Sequence, residues 1–331
     1  MTGVFLVIEG VRALSHLLPS PKALSLMAET QTASTSPRGS KLKVILNAGG
    51  GGARAAREAL TDSGLDLQVI QPTELESRLK QEIDGGAKRI VVAGGDGTIA
   101  TAATLVANKG IELAILPCGT LNHFAKDHGI PMDLAKAAAV AVDGAVVGAD
   151  IGYVNDTIFL NTSSIGAYVS FVRVRERFEK HLGYRIASFF AFIRTWAHLR
   201  TFTVTLEVEG EKKMYRSSMV FIGVAERELK LPILGNRIKN GRRGLHVMIV
   251  GGRKRARLFA VALAGIARGT KEAEKLPEFD DFIVDSCRID LTRSHALIGL
   301  DGELKEMRTP LNYRIERDAL RLVTSPPEVD E

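Results

Sequence analysis

From residue 42 to about 150, short apolar runs alternate with stretches in which apolar residues recur every three or four positions. Bounded apolar runs predict buried strands and the longer period predicts amphipathic helices. Strands are expected at 43–47, 67–70, 89–93 and 111–116, with helices at 53–63, 73–84, 98–109 and 134–142. This alternation implies a parallel sheet covered by helices on both faces. After Asp150 the pattern changes. Runs at 156–161, 202–208, 217–224, 245–250, 287–291 and 296–300, several alternating at period two, predict an antiparallel β layer. The expected fold class is therefore α/β plus β, in two domains.

Composition narrows the setting. With 331 residues and 45% hydrophobic content, the chain can bury a sizeable core. Cys118 and Cys287 are the only cysteines and lie far apart, which suggests neither a disulfide framework nor a zinc site and fits a reducing compartment. A net charge of +6 suits nucleic acid or an anionic membrane surface. With no RNP-type motif and no zinc-finger spacing, a nucleic-acid partner is not expected. No apolar stretch approaches the ~20 residues that span a bilayer, so any lipid contact is expected to be peripheral. Residues 1–40 read as a disordered tail, rich in Ser, Thr and Ala towards its end and lacking a signal-peptide pattern. His16, His128, His181, His198 and His295 are isolated in sequence and read as surface or packing residues.

The chemistry concentrates at strand ends. The run 91–93 breaks into Gly94-Gly95-Asp96-Gly97-Thr98, where glycines allow close backbone approach and the next helix begins with free N–H groups, as a phosphate-cradling turn requires. A plain βα turn with glycines for tightness is the alternative. Asp96 favours the first reading, because a carboxylate among phosphate-binding glycines is best explained by Mg²⁺. The run 111–117 ends in Cys118-Gly119-Thr120-Leu121-Asn122, and the run 43–47 ends in Asn47 and four glycines. Parallel strands would bring all three ends to one edge of the sheet. Late in the chain, Asp301-Gly302-Glu303 follows an apolar run and sets two carboxylates at one strand end, or else forms an exposed hairpin turn.

The segments 94–98, 116–125 with Gly129-Ile130-Pro131 behind it, and 300–303 together resemble the diacylglycerol kinase catalytic-domain family, which includes bacterial lipid kinases and sphingosine kinases. The likeness runs in order from about Leu42 to about Val323. It implies an NAD kinase/diacylglycerol kinase-like nucleotide domain at 41–150, an antiparallel β-sandwich-like lipid domain with helices at 151–310, and a returning strand at 311–325 packed on the first domain. The cleft between the domains would hold ATP, Mg²⁺ and the lipid. On this resemblance Glu303 is the base for the lipid hydroxyl and Asp301 supports it. Gly94, Gly95, Gly97 and Thr98 cradle the phosphates and Asp96 meets the nucleotide-bound Mg²⁺. Asn47 and Thr120 complete the rim, Thr73 matches a nucleotide-contacting position, and Asn122 shapes the cleft. The implied reaction is γ-phosphate transfer to diacylglycerol or a related lipid, in lipid metabolism or phospholipid biosynthesis.

Two departures stand against the family pattern. His123 takes a position where many relatives have Asp, and residues 231–247, where bacterial relatives hold a structural Mg²⁺, contain no acid. Lys239, Arg242 and Arg243 would oppose a cation there, so no structural Mg²⁺ is expected. The alternatives are an NAD kinase-like enzyme, disfavoured because its Asn-Glu motif is missing, and a non-catalytic lipid- or nucleotide-binding protein on the same fold. Residues 172–200 mix arginines with aromatics and 253–267 open on Arg253-Lys254-Arg255-Ala256-Arg257, so either could meet an anionic bilayer or present a solvated face. A cytoplasmic, peripherally membrane-associated enzyme, with room for a homodimer, is the resulting expectation.

Overall fold

The computed structural model describes residues 42–49, 52–60, 65–230, 233–251 and 279–326. The tail at 1–40 and the basic stretch 253–267 lie outside the described residues.

Four strands, β1 (Lys43–Asn47), β2 (Asp66–Ile70), β3 (Arg89–Gly94) and β4 (Glu112–Pro117), run parallel in the order β2-β1-β3-β4. Their side chains alternate between two cores. Ile45, Val92 and Ile115 face helices α2 (Leu75–Asp84) and α3 (Asp96–Val106), while Val44, Leu46 and Leu116 face α1 (Ala53–Leu60). Burial on both faces explains why these strands read as continuous apolar runs. The helix expected at 73–84 is a 3-10 turn over Pro72–Glu74 followed by α2. α3 starts two residues before the expected helix, with Gly95 as its N-cap, and ends three residues early, where Asn108 and Gly110 take positive φ and reverse the chain. Two further helices follow, α4 (His123–Asp127) and α5 (Leu134–Asp143), the latter capped by Asp133, whose side chain accepts the Lys136 N–H.

The rest is antiparallel: β5 (Ala145–Val154), β6 (Thr157–Phe159), β7 (Thr162–Gly166), β8 (Phe202–Val208), β9 (Glu211–Val224), β12 (Leu245–Gly251), β13 (Phe279–Val284), β14 (Ser286–Leu291), β15 (His295–Leu300), β16 (Glu303–Arg308) and β17 (Leu311–Thr324). A hairpin of β10 (Arg227–Lys230) and β11 (Ile233–Arg237) forms its own two-stranded sheet. Val204, Ile222, Val247, Ile289, Ile298 and Leu311 close a third core. The run expected at 156–161 holds one strand, β6, which ends before Leu160–Asn161 because those backbone N–H groups bond to Asp301 instead of to a ladder; β7 begins just beyond it. Between β7 and β8 lies α6 (Ala167–Ala197), kinked where Gly183 takes φ 72° and ψ 162°. It packs on β7, β9, β15 and β16.

β17 joins the halves. Its C-terminal part pairs parallel with β4 at Arg321 and Leu322, its N-terminal part pairs antiparallel with β14, and β5 runs beside it along most of its length.

Candidate active site

Parallel pairing sets Leu46 beside Ala93 and Ala93 beside Leu116, so β1, β3 and β4 end together at one edge of the sheet. Side-chain and backbone packing then knit the three turns. Asn47 donates from Nδ2 to Thr98 Oγ1 at 2.9 Å and accepts the Gly49 N–H at 3.0 Å, tying the end of β1 to the first turn of α3. A Cβ on Gly119 would stand 2.5 Å from the Gly95 Cα, so the two glycine turns touch backbone to backbone and no other residue fits without displacement. Asn122, in the left-handed region at φ 51°, closes the second turn by accepting the Gly119 N–H and donating to the Gly119 carbonyl. Asp96 Oδ1 accepts the Phe124 N–H at 3.2 Å, which links α3 to α4. Thr120 is exposed on the rim, and Thr73 is exposed in the 3-10 turn whose Pro72 abuts Gly49.

At this edge stands the N-terminus of the eleven-residue helix α3. The first-turn N–H groups of a helix lack intrahelical partners and favour anions.

The acidic pair reaches this edge from the other half of the molecule. Leu300 and Glu303 face each other across the β15–β16 hairpin, with Asp301 at φ 47° and Gly302 at φ 93° in its turn. Asp301 points inward. Its carboxylate accepts the N–H groups of Leu160, Asn161 and Thr162 at 2.7, 2.7 and 2.9 Å, and its own N–H donates to the Thr162 carbonyl. Burial pushes the Asp301 carboxyl above its usual range, against the pull of those three donors and of Arg227. Glu303 is exposed and turns the other way: its Oε1 lies 3.3 Å from where a Cβ on Gly97 would stand. Two motifs some two hundred residues apart thus meet at one edge of the sheet.

Residues that the sequence did not single out as functional complete the junction. Asp127, the last residue of α4, pairs with Arg227 at 2.9 Å, both nearly inaccessible. Beside them, burial and the guanidinium groups of Arg237 and Arg227 hold His128 down to about 3, so its ring is neutral at physiological pH. Arg243, expected to repel a cation, instead pairs with the buried Asp150 and with Asp318, while Arg242 pairs with Glu226. Burial acts to raise the Asp150 carboxyl, yet the Arg243 hydrogen bonds and the Asp318 N–H hold it below its usual range. Charged residues in short loops carry no local signal of their partners.

No group of three or more potential metal-ligating side chains gathers among the described residues. A lone Asp96 at the mouth of an anion cup does fit a cation that arrives with phosphate oxygens already attached. No described helix is long and apolar enough to cross a membrane.

The diacylglycerol kinase catalytic domain is the family whose model matches, over residues 41–154. A curated protein of Klebsiella pneumoniae named "Probable lipid kinase YegS-like" is 38% identical over 132 residues, covering 37% of this chain and 44% of the relative. One of the same name from Pseudomonas putida is 34% identical over 179 residues, covering 52% and 59%. The chain spans about half the length of these curated relatives. A solved diacylglycerol kinase from Bacillus anthracis superposes with a TM-score of 0.61 over 87% of this chain and 98% of the other, at 20% identity, and so shares the fold.

Proposed function

We propose that this chain, a member of the diacylglycerol kinase catalytic-domain family through residues 41–154, transfers the γ-phosphate of ATP to the hydroxyl of a lipid, diacylglycerol or one related to it. The observation that carries this reading is the Glu303 carboxylate standing over Gly97, inside the anion cup. Phosphoryl transfer asks a protein chiefly for positioning and for charge stabilisation. Gly94, Gly95, Gly97 and Thr98 hold the phosphates, with Asn47 and Thr120 on the rim and Thr73 further out. Asp96 holds Mg²⁺ carried by the nucleotide, and that ion neutralises phosphate charge when bound. Glu303 accepts the hydroxyl proton as the lipid oxygen bonds to the γ-phosphorus and the bond to the ADP oxygen breaks. Asp301, through its grip on residues 160–162, fixes the turn that aims Glu303.

The acceptor reaches this crevice from a peripheral membrane surface. α6 packs on the strands β15 and β16 that flank Asp301 and Glu303. It exposes Ile186 at 53%, Phe190 at 51% and Ile193 at 48%, close to the exposed Arg194. Apolar side chains beside cations suit an anionic bilayer interface. The enzyme is accordingly cytoplasmic and membrane-associated, serving lipid metabolism and phospholipid biosynthesis.

Thin-layer separation of lipid and soluble products after incubation with γ-labelled ATP, Mg²⁺ and a panel of diacylglycerol, ceramide, sphingoid bases and NAD tests the reading. A labelled lipid product is expected. Label appearing only in a soluble dinucleotide would favour an NAD kinase-like enzyme, and no transfer at all would leave a binding protein.

A further inference from the structure

We propose that Arg227 is a positioning residue that holds the acidic hairpin in register with the glycine turns, by linking Asp127 at the end of α4 to the Gly223–Thr162 strand pair on which Asp301 is anchored. The inference rests on the catalytic reading of Glu303 given above.

Arg227 opens the β10–β11 hairpin and is only 5% exposed. Its Nη2 lies 2.9 Å from Asp127 Oδ2, its Nε donates to the Val224 carbonyl at 3.1 Å, and its backbone N–H donates to His246 Nδ1 at 3.1 Å. Room for this side chain comes from Gly223, where a Cβ would stand 2.4 Å from the Arg227 Cδ. Gly223 in turn faces Thr162 across the β7–β9 pair, and the Thr162 N–H is one of the three that Asp301 holds. The arginine stem therefore lies against Gly223, in the strand pair that anchors the acidic turn. The charges of Arg227 and Asp301 each favour the charged form of the other.

Burying a guanidinium is costly, and a packed apolar side chain would often stabilise a fold as well. The location supplies the reason for the charge. At one end, Asp127 closes a five-residue helix whose Phe124 N–H bonds Asp96 of the phosphate turn. At the other, Asp301 sits two residues from Glu303. Asp96, α4, Asp127, Arg227, Gly223, Thr162 and Asp301 thus form a connected path from the glycine turns to the candidate base. Arg237 cannot replace Arg227 in it: its backbone N–H lies 3.4 Å from Asp127 Oδ1, and its guanidinium lies 3.4 Å from His128. Its charge opposes that of Arg227.

The test compares Arg227→Met and Arg227→Lys in the full chain, by amide hydrogen exchange and by lipid kinase kinetics. In Arg227→Met, exchange at Leu160, Asn161 and Thr162 is expected to quicken about 10-fold or more while β3 amides keep their protection. The kcat is expected to fall about 30-fold with the KM for ATP within about 2-fold, and Arg227→Lys is expected to recover much of both losses. Unchanged protection at 160–162, or a loss confined to the KM for ATP, overturns the proposal. Should the unmodified protein phosphorylate no lipid, the functional reading fails, and the exchange data still decide whether Arg227 holds Asp301. If Arg227→Met does not fold, Asp127→Asn removes the charge at the other end with little change of shape. It is expected to quicken exchange at 160–162 in the same way, and wild-type protection there overturns the proposal equally.

Discussion

The two sides of the crevice are built by opposite means. The proposed phosphate side is main chain: glycines at 94, 95, 97 and 119, a helix N-terminus and one carboxamide that closes a turn. The proposed acceptor side is side chain: two carboxylates on a hairpin, one gripping residues 160–162 and the other left exposed. Main-chain sites tolerate little added bulk but bind any anion of the right size, whereas side-chain sites depend on charges supplied from distant segments. The first side should therefore fail sterically and the second electrostatically.

Experiments that set one side against the other follow from this, the largest effect first. Glu303→Gln is expected to lower kcat by about two orders of magnitude or more through loss of the proton acceptor, leaving ATP affinity near wild type by calorimetry. Asp96→Asn, which keeps an acceptor for the Phe124 N–H but not the charge, should cost a similar factor, with the loss now dependent on Mg²⁺ concentration. Wild-type turnover in either variant would reassign the residue. Gly119→Ala introduces a methyl 2.5 Å from the Gly95 Cα and should weaken ATP binding by about 10-fold or more, since the turns must part. Ile186→Ser with Ile193→Ser should reduce sedimentation with phosphatidylglycerol vesicles several-fold while turnover on detergent-dispersed lipid is retained. Equal vesicle binding would leave α6 as an ordinary solvated face.

The smallest effect concerns pH. His128 is depressed from 6.5 to about 3, so the unfolded chain binds the proton more readily and stability falls as pH drops through that window. Linkage puts the loss from this one group at about 2 kcal/mol by pH 5. His128→Gln should therefore lose about 2 kcal/mol less than the wild type between pH 7 and pH 5 in urea melts. An identical slope for both proteins would place the acid sensitivity elsewhere.

How much of this could be read from the sequence follows the same division. The glycine turns were legible because the requirement for a missing Cβ is printed locally, at Gly94, Gly95 and Gly119, and because parallel strands must end at a common edge. The strands of the first half were legible for the same reason, being buried on both faces. Helix ends were off by two or three residues where Asn108 and Gly110 reversed the chain, a decision of backbone conformation that the apolar period does not record. The partners of Arg227 and Arg243 were not legible, since Arg227-Glu228-Leu229-Lys230 reads as a solvated charged stretch. Only the pairing of β7 with β9, and the fall of α4 against β11, reveal which charges are buried. The cationic run expected to repel a metal proved to contain an arginine already engaged by the buried Asp150.

One strand sets a boundary on how this molecule can be divided. β17 is shared property: the same fourteen residues finish the parallel sheet beside Glu112 and seal the antiparallel core through Leu311 and Tyr313. A cut near residue 150 would yield a first piece with a bare sheet edge and a second whose last strand had lost β4 and the first part of β5. Neither proposed catalytic surface could then be grafted, swapped or studied as a free-standing module, and the proposed phosphate cup and its facing acid must be inherited together.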